Sequence, residues 1–142
     1  EFRGFLKDRY TTLEEASDRI LATSLTARWR WESTDGVDFE ASYGTVRRTL
    51  LSTFATTYSR ALQESLYAMG TAVLEAHPQI AEIRFSAPNK HHFLVDLEPF
   101  GLENPGEVFI AADRPYGLIE ASVLRDDASA AGEAWTDIRA FL

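Results

Sequence analysis

The 142-residue chain contains no cysteine. That excludes a disulfide framework, thiolate catalysis and cysteine-ligated zinc together. Positive charge is also scarce: 14 Lys and Arg stand against 22 Asp and Glu, a net −8 at pH 7. Such a surface repels a duplex phosphate array unless a strong local basic patch exists. Arg28, Arg30, Arg47 and Arg48 are the densest basic residues and acids surround them, so nucleic acid is not an expected partner. No apolar run approaches the roughly 18 residues that a membrane-spanning helix needs, and no membrane association is expected. Histidine is limited to His77, His91 and His92. His91 and His92 are strand neighbours that face apart, so no metal site is expected. Internal repeats and low-complexity tracts are missing too.

What is present has the composition of a globular protein, 45% hydrophobic and 25% charged. Residues 1–142 read as one domain, long enough to bury a core without disulfides or metal. The chain opens on Glu1 rather than Met and reads as a piece of something longer.

Periodicity divides the chain. Phe2 to Tyr10 is a plausible first strand. In residues 19–31, Leu21, Thr23, Leu25, Ala27, Trp29 and Trp31 alternate with Ala22, Ser24, Thr26, Arg28 and Arg30, a long amphipathic strand. Ser33-Thr34-Asp35-Gly36 is a turn signal. The period then changes: Val46, Leu50 and Phe54 recur at helical spacing, and Leu62, Leu66, Met69 and Val73 do so again. Ser59 is a fair N-cap for the second helix and Pro78 stops it. Ala81, Ile83 and Phe85 alternate with Glu82, Arg84 and Ser86 as a strand, and Phe93 to Leu97 form another. Glu107 to Ala112 and Tyr116 to Arg125 supply two more, joined by the turn Asp113-Arg114-Pro115. Residues 126–142 form a tail, expected to be helical over its Ala-rich stretch with Trp135, Ile138 and Phe141. The order is ββααββ with extra strands, an α+β antiparallel sheet with two helices on one face.

One stretch carries chemistry. Pro88-Asn89-Lys90-His91-His92-Phe93 places an amide, an ammonium and two imidazoles at the mouth of an apolar strand. In an extended segment Asn89, His91 and Phe93 point one way and Lys90 and His92 the other. An amide and an imidazole about 7 Å apart on one face can grip a polar substrate and move a proton. Taken alone, the motif reads more simply as a polar loop running into a strand.

Several segments together resemble the C-terminal half of the urate oxidase (uricase) family. They are Gly4-Phe5-Leu6-Lys7-Asp8 with Tyr10-Thr11-Thr12-Leu13, Asp18-Arg19-Ile20-Leu21-Ala22-Thr23, and Gln63 with Tyr67 and Met69. Pro88-Asn89-Lys90-His91, Gly101-Leu102-Glu103-Asn104 and Asp113-Arg114-Pro115-Tyr116-Gly117-Leu118-Ile119 follow in the family's order. The resemblance implies the tunnelling fold (T-fold), in which ββααββ units pair into a barrel with sites at subunit interfaces. It implies oxidation of urate by dioxygen to 5-hydroxyisourate and hydrogen peroxide, a step of purine catabolism that needs no cofactor.

Residue by residue, Arg19 matches the family's substrate arginine, whose guanidinium fork suits an anionic O/N edge. Gln63 matches the glutamine that grips the opposite edge. Leu62 matches a position offering its backbone N–H, available in the first turn of a helix. Phe2 matches the aromatic on which the purine stacks. Asn89 matches the asparagine holding water or dioxygen above the ring, and His91 the histidine of the proton relay. His92 is given no catalytic role, and His77 reads as a favourable charge at a helix C-terminus. The relay's lysine and threonine belong to the family's N-terminal half on a neighbouring subunit, so the partners implied are that half and further subunits of a homotetramer. Lys7 and Thr12 belong to a different motif and do not fill the gap. The chain ends Ala140-Phe141-Leu142 and not Ser-Lys-Leu, so a bacterial cytoplasm is expected and not a peroxisome. An alternative is a pterin- or purine-binding T-fold module, or lyase, that does not oxidise urate. Gln63 in place of a buried glutamate weighs against it.

Overall fold

Two changes of hydrophobic period set the architecture in the computed structural model, which describes residues 1–136. Strand β1 is Thr26–Trp31, helix α1 is Phe39–Thr56, helix α2 is Leu62–Ala76, strand β2 is Ile80–Leu94 and strand β3 is Phe109–Leu124. The strands form one antiparallel sheet in the order β1-β2-β3. Both helices lie on one face of it, as the patterning predicts. Among the described residues no helix is long and apolar enough to cross a membrane.

The core forms where the helical and strand periods meet. Val46 and Leu50 from α1 and Leu66, Met69 and Val73 from α2 close on Ile83, Phe85, Ala87 and Val123. Helix α2 approaches the sheet very closely at Gly70, where an added Cβ would sit 2.5 Å from Val123 Cγ2 and 3.2 Å from Phe85 Cε2. Asp38 caps α1, its carboxylate accepting from Ala41 N at 3.0 Å. The cap of α2 is Ala61 and not Ser59. Ser59 stands two residues further out, donating to Ala61 O at 2.8 Å and accepting from Ser65 Oγ at 2.6 Å. Glu64 takes over the capping work by reaching back to Arg60 N at 2.9 Å, a displaced form of the reciprocal cap.

The C-terminus of α2 also departs from expectation. His77 does not supply a cation there, because burial lowers its pKa and its Nε2 is enclosed with no partner. Arg125, at the far end of β3, does so: its guanidinium donates to Leu74 O, to His77 O at 3.1 Å and to Ile80 O at 2.9 Å.

Other elements also differ from the expectation. Phe2 to Tyr10 is not a strand; it keeps one bridge, Phe2 to Ala16. Gly4 turns with φ +68°, and Asp8 and Thr11 spend their side chains on a local turn that competes with any ladder. The long strand of residues 19–31 begins only at Thr26. Residues 80–94 form one continuous strand in place of two, as do 109–124. Asp113-Arg114-Pro115 is no chain reversal. Between the pairs Asn89–Gly117 and His91–Ala112, residues 113–116 of β3 stand opposite Lys90 alone, a large bulge that includes the cis Arg114–Pro115 bond. The tail runs through turns as far as Thr136 where a helix was expected, and Ile138 and Phe141 lie outside the described residues.

Candidate functional site

Strand β2 leaves the helices behind after Ala87 and carries Pro88, Asn89, Lys90 and His91 outward. Asn89 and His91 are half-buried. Asn89 pairs with Gly117, which has no side chain to cover it, and His91 pairs with Ala112. The His91 and Phe93 rings stack with centroids 6.2 Å apart and planes 15° from parallel, so these two share a face as the period-two pattern predicts. His92 points elsewhere and its Nδ1 is enclosed without a partner.

The segment before β1 is drawn against this strand. Lys90 N donates to Ala22 O at 3.0 Å. Three residues earlier, Arg19 sets its Cζ 5.9 Å from the Phe93 ring centroid, while Asp18 offers a carboxylate oxygen at 3.4 Å. A guanidinium and an imidazole therefore share one aromatic neighbour.

Phe2 and the start of α2 make a second set of contacts. The Phe2 ring stacks on Phe5 with centroids 4.2 Å apart and an interplanar angle of 11°. Gly4 lies beside the Arg60 side chain, which is bound to Glu64 in the first turn of α2. Leu62 is the first residue of that helix and its side chain belongs to the core. Leu62 and Gln63 thus occupy the first turn, where backbone N–H groups have no intrahelical acceptor. Gln63 is exposed. The backbone nitrogen of Glu1 donates to Arg19 O at 2.7 Å, tying the Phe2 segment to the Arg19 segment.

Lys7 is engaged elsewhere. Its Nζ is 3.5 Å from Glu15 Oε1 and lies over the Phe5 ring. A hydrogen bond from Gly4 N–H, helped by the Lys7 charge, holds the Glu15 carboxyl below its ordinary value. Among the described residues no group of three or more His, Asp or Glu is placed to hold a metal ion. A cleft of about 560 Å³ opens between Asp18 and the loop 94–105, and Arg19 does not line it. Asp18, Asp96, Glu98 and Glu103 line it, a poor seat for an anion. Asn104 rigidifies that loop, donating to Val95 O and Val108 O and accepting from Glu107 N and Val108 N. Asn89, His91, Gln63 and Phe2 lie outside this cleft.

Two aromatic residues that touch the candidate residues have no role assigned from the sequence: Phe5, stacked on Phe2, and Phe93, beside both Arg19 and His91. For Phe93 the signal was available, since it shares the alternation of Asn89 and His91. Nothing in the sequence spacing marks Phe5.

Comparison with known proteins gives concordant results. Residues 1–120 match the uricase family model. The chain is 58% identical over 141 residues to a uricase of Arthrobacter globiformis, covering 99% of this chain and 46% of that relative. It is 40% identical over 129 residues to a uricase of Oryctolagus cuniculus, covering 87% and 43%. The crystal structure of the Arthrobacter globiformis uricase superposes with a TM-score of 0.85 at 58% identity, over 96% of this chain and 47% of that one. A uricase structure from Bacillus fastidious gives 0.68 at 32% identity, over 89% and 40%. The chain spans about half the length of the relatives it matches.

Proposed function

This chain belongs to the uricase family, and from that premise we propose that it supplies the substrate grip and part of the proton relay of a urate oxidase. The reaction is urate with dioxygen and water giving 5-hydroxyisourate and hydrogen peroxide, with dioxygen as the co-substrate and no cofactor. Urate is a planar anion with hydrogen-bonding edges. The Arg19 fork takes one edge and Gln63 the other, with the Leu62 N–H beside it. Phe2 stacks on the ring. Asn89 holds water or dioxygen above the ring plane, and His91 moves the proton.

The observation that supports this reading is that Arg19 and His91 share Phe93 as a neighbour, at 5.9 and 6.2 Å from its ring centroid. A guanidinium and an imidazole beside one ring, with the Asn89 amide two residues from His91 on the same strand, suit anion binding and proton transfer. The remaining relay groups, a lysine and a threonine, come from the N-terminal half of a neighbouring subunit in a homotetramer, and the setting is a bacterial cytoplasm.

The test is inhibitor binding. Arg19→Ala and Gln63→Ala in the full-length protein each weaken an azaxanthine-type inhibitor. A hydrogen bond to a charged group is worth about 1.5–3 kcal/mol, so the Arg19 variant loses roughly ten- to a hundredfold in affinity. Native affinity in both variants, with unchanged circular dichroism, sinks the assignment.

A further inference from the structure

Phe93 neighbours both Arg19 and His91. Its ring centroid is 5.9 Å from Arg19 Cζ and 6.2 Å from the centroid of the His91 ring. Core packing does not account for it: Phe85, on the same strand, is 0% exposed and Phe93 is 38% exposed. We propose that Phe93 is a positioning residue for urate oxidation, its π face holding the Arg19 guanidinium and its ring plane orienting the His91 imidazole. The inference rests on the urate-site reading above.

Arg19 is a long, half-exposed side chain with a competitor beside it, the Asp18 carboxylate. An exposed ion pair of that kind is weak, and a guanidinium over an aromatic face is attracted comparably. The ring therefore gives the fork a second hold beside the Asp18 carboxylate. A fork already held spends less conformational entropy when an anion arrives. His91 poses a different problem. The imidazole χ2 torsion is broad and close to two-fold, and a proton relay works only within hydrogen-bond reach. A ring stacked nearly parallel narrows that torsion. Phe93 is itself fixed by its ladder pairing with Ile110. An aliphatic side chain would fill the volume without offering either the face or the plane.

The experiment uses the full-length protein with Phe93→Leu and Phe93→Tyr, each in native and Arg19→Ala backgrounds. The readouts are kcat and KM on urate and the Kd of an azaxanthine-type inhibitor. Phe93→Leu is expected to raise the inhibitor Kd about two- to fivefold. It also lowers kcat about tenfold, a fraction of what a positioned acid–base group contributes. Phe93→Tyr keeps both near native. In the Arg19→Ala background Phe93→Leu still lowers kcat but no longer moves Kd. If Phe93→Leu loses its fold, Phe93→Met carries the same test. Native kcat and Kd in the aliphatic variant overturn the proposal, as does a Tyr variant no better than Leu. So does a Kd effect undiminished without Arg19. Native inhibitor affinity in Arg19→Ala alone overturns the urate-site reading instead, so the two failures are distinct.

Discussion

Glu82 keeps a negative charge where only 5% of the residue meets solvent. It lies on the sheet face opposite the helices. Its carboxylate accepts from Arg84 Nε at 2.7 Å and Trp135 Nε1 at 3.0 Å, with Arg30 Nε 3.6 Å away. Burial works against the charge, but the hydrogen bonds from Arg84 and Trp135 and the charges of Arg84 and Arg30 outweigh it. The carboxyl is held below its ordinary value. A carboxyl depressed on folding contributes stability that is fully present above its unfolded pKa and is lost as pH falls through the native one. Glu82→Gln is therefore expected to cost about 1.5–3 kcal/mol at pH 7. The difference from the native protein should shrink as the solution is acidified below the ordinary carboxylate range. Urea denaturation of both proteins between pH 7 and pH 3 measures it, and a difference independent of pH refutes the charge as its origin.

At the scale of elements, Gly70 marks the tightest contact between α2 and the sheet. The atoms an alanine would meet belong to Val123 and Phe85, neither free to retreat in the core. Gly70→Ala is expected to destabilise by about 1–3 kcal/mol despite its better helix propensity, as overpacking does. A thermal midpoint at or above the native one contradicts this. Both helices and the Ala81–Phe85 strand were legible in the sequence because burial imposes period 3.6 or 2 on apolar residues. Strand continuity was not. Asn89-Lys90 and Asp113-Arg114-Pro115 carry turn chemistry, and here that chemistry makes a bulge inside a ladder where a reversal was expected. The Phe2 segment looked strand-like from its aromatics, whereas Gly4, Asp8 and Thr11 give it a backbone of local turns. Tertiary contacts such as Arg125 at the end of α2 lie 48 residues from the carbonyl of His77 and leave no local pattern. In the site, Asn89 and His91 were conspicuous as polar groups on an apolar strand. Arg19, Gln63, Leu62 and Phe2 stood out only through the family resemblance.

At the scale of the whole molecule, a tunnelling fold, the described residues form a three-stranded sheet with β1 and β3 at its edges. Exposed edges invite pairing with another chain. We expect this chain to associate with a complementary half and with further copies. Alone it should turn over urate very slowly or not at all, since the proposed relay takes His91's partners from the other half and such groups contribute about 10²–10⁴-fold. Urate absorbance and peroxide production, followed for the chain alone and after mixing with the N-terminal half, decide the matter; full activity from the isolated chain refutes the split site. The bulge at residues 113–116 has a consequence of another kind. Its four residues face Lys90 alone, and regular pairing continues on either side. The extra residues are all on β3. The spacing of Asn89 and His91 is thereby insulated from the length of the opposing segment. Relatives, or engineered variants, can lengthen or shorten the chain at 113–116 as a mechanical expansion joint does, leaving the alignment of the site-bearing strand unchanged.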